Sequence, residues 1–140
     1  MDRIGKAHRS WNMSRIRSSD TRPERAVRSL LHRLGARFRK NTGNKLPGRP
    51  DVVLPARRMA IFVHGCFWHR HPGCSYTYTP KSRLKFWTTK FASNVVRDEI
   101  VRKQLRKAGW HVIVVWECET KARKRLEAKL NRQIRAHPPQ

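Results

Sequence analysis

The chain has 140 residues, 38% of them hydrophobic and 30% charged, which indicates one folded domain and argues against a disordered segment. It carries 33 Lys and Arg against 9 Asp and Glu, and a formal net charge of +24 favours a nucleic acid partner over an anionic membrane surface. No apolar run approaches the roughly 20 residues that span a bilayer, and the N-terminus has no apolar signal region, so we expect a cytoplasmic protein without membrane contact.

The predicted elements begin with a basic arm over residues 1–20 that has no core face. A single domain over 21–140 follows, and its first helix starts at Thr21, where Glu24 completes a capping box, and ends at Gly35. The apolar runs then predict an edge strand, a two-stranded hairpin and a strand buried on both faces, at 36–41, 51–54, 59–64 and 110–117.

Three further helices are predicted in the second half of the chain. A short one over 84–91 precedes a longer one over 94–109 that Asn94 caps, and a basic amphipathic helix over 120–137 comes last. The longer helix is expected to turn five apolar side chains inward: Val95, Val96, Ile100, Val101 and Leu105. This order of elements predicts an α/β fold in which helices cover a small mixed sheet.

Residues 64–82 are predicted to be irregular, and "VHGCFWHRHPGC" at 63–74 combines metal-ligand residues with large aromatics. Two of the three cysteines lie there in a C-x4-H-x2-C spacing, and the third follows the strand at 110–117. An odd cysteine count argues against a disulfide scaffold, whereas three thiolates and one imidazole complete a tetrahedral zinc site. The alternative is three unrelated buried thiols.

Asp51 starts one hairpin strand, where a carboxylate either ends a turn or projects into a cleft and holds Mg²⁺. The partner strand ends at His64, so Asp51 is expected close to the Val63–His64 backbone. This arrangement is that of restriction-endonuclease-like nucleases, which usually carry E-x-K on the second strand. Here that slot reads Phe62-Val63-His64, without the carboxylate or the lysine.

Four blocks, "PGRPDVVL", "VHGCFWHRHPGC", "NVVRDE" and "GWHVIVVWEC", together resemble the very short patch repair (Vsr) DNA mismatch endonucleases, from about Ser10 to Cys118. The resemblance implies a restriction-endonuclease-like fold with a structural zinc site. It also implies Mg²⁺-dependent hydrolysis of one phosphodiester bond in double-stranded DNA, 5′ of the T in a T·G mispair. Such mispairs arise by deamination of 5-methylcytosine, which links the enzyme to a cytosine-5 methyltransferase. We expect a monomer, because the mispair is asymmetric.

The resemblance also implies the metal ligands. Asp51 matches the Mg²⁺-binding aspartate, and Val63 stands where the family usually has threonine and supplies a main-chain carbonyl to the metal. Glu24 matches a first-helix glutamate near this metal, and its capping role fits equally well. The structural Zn²⁺ would be held by Cys66, His71, Cys74 and Cys118. Two residues separate the last His and Cys of the loop where the family more often has one, so His69 is the alternative zinc ligand.

The resemblance gives catalytic roles to two histidines. His64 matches the histidine set against the scissile phosphate, and His69 matches the one that activates the attacking water. Asp98 matches an aspartate that supports His69; without the resemblance it would be a solvated ion pair with Arg97 or Arg102.

Four large apolar side chains match family residues that enter the base stack. They are Phe67, Trp68 and Trp87 on one side of the mispair and Met13 of the arm on the other. Unstacking costs least at a mispair, so such side chains favour damaged sites. Without the resemblance, a Phe-Trp pair is more typical of a core, and the arm is an unstructured basic tail.

Two other interpretations remain. A non-catalytic, zinc-stabilised DNA-binding protein would explain the charge, the cysteines and the aromatics, but not an aspartate facing a strand that ends in histidine. A generic restriction-type nuclease would cut both strands of intact DNA, and the absent E-x-K pair argues against it.

Overall fold

The computed structural model describes residues 21–40 and 46–140, so the predicted arm, with Met13, lies outside the described residues. The helices and strands follow in the order α1 Arg22–Arg33, β1 Arg39–Lys40, β2 Val52–Leu54, β3 Met59–His64, α2 Cys66–His69, α3 Leu84–Lys107, β4 His111–Trp116 and α4 Arg123–Ala136. Within these described ranges, none of the helices combines the length and the apolar character that crossing a membrane requires.

The four strands form one mixed sheet in the order β1-β2-β3-β4. β2 pairs antiparallel with both β1 and β3, whereas β4 runs parallel to β3. Since α3 connects β3 to β4, the chain makes the helical crossover that a parallel pair requires. The α/β fold with a small mixed sheet predicted from the sequence is confirmed.

Helices cover both faces of the sheet. On one face, α1 and α4 pack through apolar side chains against alternate residues of the strands; those of the helices are Val27, Leu30, Leu31, Leu126, Leu130 and Ile134. On the other face, Leu105 and Val101 of α3 pack against Ala60 and Phe62 of β3. Because side chains alternate along a strand, the last two residues of β3, Val63 and His64, are directed to opposite faces.

The loop before β2 is held close to α3 by a glycine. Gly48 has a φ of +72°, and a Cβ placed there would lie 2.4 Å from a methyl carbon of Val101. Any other residue would therefore meet both backbone strain and a steric clash. This close approach positions Asp51, the residue immediately before β2.

The sequence prediction for α3 is wrong in two respects. Residues 84–107 form one continuous helix instead of two. Three of the apolar residues expected to point inward are exposed by 45, 58 and 50%: Val95, Val96 and Ile100. Val101 and Leu105 pack inward as predicted, and the rest of the inward-facing stripe consists of Trp87, Phe91 and Asn94. The helix is rotated relative to its most apolar face because two aromatics and a buried amide set its phase.

Two smaller expectations also change. The strand β4 was predicted to be buried on both faces, but only Ile113 and Val115 are buried, and in the described part of the chain β4 is an edge strand of the sheet. Lys129 from α4 donates to the Val114 carbonyl at 2.8 Å. The segment 64–82, predicted to be irregular, contains the single helical turn α2.

Candidate active site

The register of the parallel strand pair determines where the chemically active residues meet. His64 of β3 pairs with Trp116 of β4, so both strands end at the same edge of the sheet. Two residues beyond these partners lie Cys66 and Cys118. Residues 52 positions apart in sequence therefore become neighbours, and both chain segments leave the sheet at one place.

Asp51 lies beside the end of β3, as its position in the hairpin predicts. Its Oδ2 accepts a hydrogen bond from the Val63 amide at 2.7 Å. Burial raises the pKa of the Asp51 carboxyl to about 6, against the lowering effect of the Val63 hydrogen bond and with a further increase from the charge of Glu24. A partly buried carboxyl whose ionised form is destabilised favours binding of a cation.

Glu24 lies at the capped start of α1 and also acts on Asp51, so its geometry is compatible with both roles left open by the sequence. Thr21 caps α1, accepting a hydrogen bond from the Glu24 amide at 3.4 Å. The Glu24 side chain is nevertheless only 5% exposed and acts electrostatically on Asp51. Arg28, one helical turn later, lies 3.9 Å from Glu24 Oε2 and is also buried. Asp51 at the end of β3 and Glu24 therefore lie close enough to interact electrostatically, with Arg28 beside Glu24, and carboxylate oxygens suit a hard divalent cation.

The raised pKa of Asp51 leads to a prediction about stability. A carboxyl whose pKa is higher in the folded state stabilises the fold at low pH, and this contribution is lost as pH rises from about 4 to about 6. Asp51→Asn, which mimics the protonated carboxyl, should therefore raise the free energy of unfolding near neutral pH by up to about 3 kcal/mol without added Mg²⁺. Urea unfolding near pH 7 and near pH 4 measures this, and a variant less stable than wild type near pH 7 contradicts it.

His64, His69 and Asp98 form a second polar group on the α3 side of the sheet. The two imidazole rings are stacked, with centroids 3.9 Å apart and planes within 6°. His69 Nδ1 lies 2.6 Å from Asp98 Oδ2. Because an ionised carboxylate only accepts hydrogen bonds, Nδ1 carries the proton, and Nε2 of a neutral His69 ring is left with its lone pair. Burial, with a further effect from His69, lowers the pKa of His64 to about 4.

The four predicted zinc ligands also converge, and we refer to Cys66, His71, Cys74 and Cys118 as the thiol cluster. Their ligand atoms all lie within 4.8 Å of one another. His71 Nδ1 is 3.4 Å from the Cys118 sulfur and 3.7 Å from that of Cys66. Ligand atoms around a tetrahedral zinc ion are separated by about 3.3–3.8 Å, so these residues fit such an ion. His69 lies outside the cluster and is occupied with Asp98.

The protonation of the thiols agrees with a cation site. Burial raises the pKa of the Cys66 thiol to about 12 and also raises that of Cys118. A hydrogen bond from the Tyr76 backbone is the main cause that lowers the pKa of Cys74. Sulfurs this close cannot all ionise without a compensating charge, which a coordinated metal would supply.

Phe67 and Trp68, which we call the aromatic wedge, lie between ligands of the thiol cluster. Both are half-buried, and their rings meet edge to face at 5.1 Å. Phe67 also contacts Trp87 and Phe91 of α3, at 5.6 and 5.0 Å. Trp87 is only 5% exposed, so its ring packs against the aromatic wedge and is not presented to solvent. Its predicted insertion into DNA would require it to become exposed.

Several residues of this region were not identified from the sequence. Asn94, expected to cap a helix, is buried inside α3 and donates to the Trp68 carbonyl at 3.1 Å. Trp116 stacks on His71 at 4.2 Å and meets His64 edge to face at 5.3 Å. Arg70 contacts the aromatic wedge. The sequence offered two signals for these residues: Asn94 is a polar residue on the face of α3 that packs inward, and Trp116 is a tryptophan at the end of β4.

This edge of the sheet combines the features of a restriction-endonuclease-like nuclease: a carboxylate beside the second hairpin strand, a group of residues that could hold a metal ion, and a histidine at the end of the strand that usually carries E-x-K. A family model described as DNA mismatch endonuclease Vsr matches residues 1–75. The type II nicking enzyme V.XorIIP of Xanthomonas oryzae pv. oryzae is 50% identical, covering 92% of this chain and 93% of the relative. The DNA mismatch endonuclease Vsr of Escherichia coli is 44% identical over 86% of this chain and 76% of the relative.

The chain belongs to the Vsr family of DNA mismatch endonucleases. Its substrate class is therefore DNA, and the nuclease family implies a divalent metal. A further relative, the type II nicking enzyme V.NmeAIP of Neisseria meningitidis, is 42% identical over 91% of this chain and 89% of its own length.

Proposed function

We propose that this protein nicks one strand of double-stranded DNA 5′ of the T in a T·G mispair, in a reaction that depends on Mg²⁺. The observation that carries the proposal is the His64–His69 stack, with Asp98 holding His69, at the strand end where Asp51 meets Val63. A DNA-binding protein without catalysis has no need of an oriented imidazole near a partly buried carboxylate. The nicking enzymes among the relatives support cleavage of one strand.

In the proposed mechanism, Asp98 fixes the tautomer of His69. With Nδ1 donating to Asp98 at 2.6 Å, Nε2 of His69 is free to accept a proton from the attacking water. His64 stays neutral at pH 7, because burial lowers its pKa to about 4, and it contacts the scissile phosphate through a ring nitrogen. The stacked arrangement of the rings restrains His69 in the orientation that proton transfer needs.

Asp51, Glu24 and the Val63 carbonyl would hold Mg²⁺. When bound, Mg²⁺ supplies the positive charge that lowers the pKa of a coordinated water and offsets charge developing on the phosphate. Asp51 is held in place before the ion arrives by its hydrogen bond from the Val63 amide. A backbone carbonyl does not depend on the side chain, so valine instead of threonine at 63 leaves this ligand intact.

The thiol cluster would hold a structural Zn²⁺, since it offers four protein ligands and no open position. With such an ion bound, Cys66, His71 and Cys74 after β3 would be linked to Cys118 after β4. The aromatic wedge lies between Cys66 and His71, so its side chains, which are proposed to enter the base stack, would be restrained as well. Met13 of the arm is proposed to act from the opposite groove.

The substrate and its origin extend the proposal. A T·G mispair arises when 5-methylcytosine deaminates, so the enzyme would act on the products of a cytosine-5 methyltransferase. The asymmetry of the mispair favours action as a monomer. We also propose that residues 1–20 form a DNA-contacting arm and that residues 21–140 form the endonuclease domain.

The test is strand nicking of an end-labelled duplex with one T·G mispair in the presence of Mg²⁺, beside a matched T·A duplex. We expect a nick 5′ of the T in the first duplex and none in the second. Tight binding without a nick would support the zinc-stabilised DNA-binding protein instead. Cleavage of both strands in both duplexes would support a generic restriction-type nuclease.

The link between Asp98 and His69 gives a separate prediction. Asp98→Asn can place an amide N–H where the carboxylate accepted, which disfavours the productive tautomer of His69. We expect the nicking rate at saturating DNA to fall by about 10–100-fold, with little change in DNA affinity. The control is Glu99→Gln, which alters the neighbouring carboxylate that pairs with Arg102 on the exposed side of α3. Equal nicking rates for the Asp98 variant and wild type would contradict the role.

A further inference from the structure

Arg70 is the residue that follows the helical turn α2, and its guanidinium is shared between the aromatic wedge and the loop beyond it. Nη1 donates to the Phe67 carbonyl at 3.2 Å and to the Tyr78 carbonyl at 3.0 Å. Nη2 donates to Thr79 Oγ1 at 2.9 Å. These three bonds use both ends of the guanidinium fork and connect α2 to residues eight and nine positions later.

The same guanidinium also stacks on aromatic rings. Its Cζ lies 4.0 Å from the ring centroid of Phe91 in α3 and 5.8 Å from that of Phe67. The backbone of Arg70 is left-handed, with a φ of +56°, which ends α2 after one turn. A single turn of four residues has no helical stability of its own. The orientation of the aromatic wedge therefore depends on contacts outside α2.

We propose that Arg70 is a positioning residue for mismatch recognition, which orients the aromatic wedge by joining the Phe67 backbone to Tyr78, Thr79 and Phe91. The proposal rests on the proposed function of the wedge in unstacking DNA. Both terminal nitrogens already donate to protein acceptors, and in this proposal Arg70 acts through Phe67 and not as a phosphate contact. The thiol cluster fixes the chain at Cys66 and His71, and Arg70 fixes the segment between them.

The geometry explains why arginine is used. Only a planar guanidinium donates in two directions from Nη1 and Nη2 while lying flat on the Phe91 ring. Lysine keeps the charge but has neither the fork nor the plane. Lysine would keep the long-range attraction of a positive charge for DNA, but it would lose the hydrogen bonds and ring contact by which the guanidinium orients Phe67.

The chain contains a matched control in Arg83. It has the same left-handed backbone, with a φ of +53°, and its Cζ lies 4.4 Å from the ring centroid of Phe86. Within the described residues, Arg83 makes no hydrogen bond to the loop that carries the aromatic wedge. Arg70→Lys and Arg83→Lys thus make the same chemical change at a stacked, left-handed arginine, with and without the link to Phe67.

The experiment uses the full-length, metal-loaded protein and a T·G duplex that carries the fluorescent base 2-aminopurine beside the mispair. Fluorescence reports unstacking, and single-turnover nicking reports the reaction. For Arg70→Lys we expect the unstacking signal and the nicking rate at saturating DNA to fall by about 10–100-fold. Affinity for a matched duplex and zinc content should stay at the wild-type level, and Arg83→Lys should match wild type in all four measurements.

A second variant removes a partner of Arg70 while keeping the arginine. Thr79→Val removes the hydroxyl that accepts from Arg70 Nη2 on an exposed loop. It should lower both the unstacking signal and the nicking rate, by a smaller factor than Arg70→Lys does. Normal unstacking and nicking by Arg70→Lys would overturn the proposal. A fall that appears only as weaker binding to both duplexes would also overturn it, because that identifies a phosphate contact. If wild type neither unstacks nor nicks the T·G duplex, the proposed function fails as well.

Discussion

Asp51→Asn is expected to reduce nicking of a T·G duplex by at least about 1,000-fold, which makes it one of the two largest effects we anticipate. The amide keeps the size of the side chain and can still accept from the Val63 amide, so the hairpin is unchanged. It removes the negative charge that would hold Mg²⁺ beside Glu24. Single-turnover nicking across a range of Mg²⁺ concentrations measures the effect.

Stability makes this result unusually direct to interpret. Since the same variant should be more stable than wild type near neutral pH, lost activity cannot be attributed to unfolding. Glu127→Gln is the control: this carboxylate pairs with Arg33 on the α1–α4 side of the molecule, at 3.0 Å. It should nick at the wild-type rate. Substantial nicking by Asp51→Asn at ordinary Mg²⁺ concentrations would remove Asp51 from the metal site.

Loss of the thiol cluster should have the second large effect. Cys118→Ser removes the one ligand that follows β4. A bound metal ion could then no longer link the segment after β3 to the segment after β4. We expect the zinc content to fall well below one ion per chain, the free energy of unfolding to fall by about 3 kcal/mol or more, and nicking to fall at least about 100-fold. Metal analysis, urea unfolding and the nicking assay measure the three quantities.

All three cysteines of the chain belong to the thiol cluster, so no cysteine outside it provides a matched control. The comparison is wild type stripped of metal by a chelator. It should lose activity with Mg²⁺ alone and recover when Zn²⁺ is added back, whereas Cys118→Ser should not recover. A Cys118→Ser protein that keeps one zinc ion and full activity would show that the cluster is not the structural site.

The sequence was informative wherever one residue type has few possible uses. The start of α1 follows from its capping residues, and the hairpin with Asp51 near Val63 follows from two short apolar runs. The C-x4-H-x2-C spacing with a distant third cysteine identified the thiol cluster, which the structure brings together. These inferences depend on local chemistry, which the chain carries without reference to its fold.

The helix α3 shows where such inference fails. Hydrophobicity alone predicts that Val95, Val96 and Ile100 point inward, yet these side chains are exposed. The helix instead directs Asn94 toward Trp68 and Asp98 toward His69. The energetic cost of exposing aliphatic residues is offset by burying Trp87 and Phe91 one turn apart and by two polar contacts that no periodicity analysis counts.

By itself, the sequence determined the fold class, the family and the residue types available for metal binding and hydrolysis, because motifs and apolar patterns are local properties. The tertiary structure alone decided which of these residues meet. Parallel pairing of His64 with Trp116 brings Cys66 to Cys118, and the rotation of α3 brings Asp98 to His69. Strand register and helix phase depend on the packing of the whole core, so distances across the site appear only when the chain is folded.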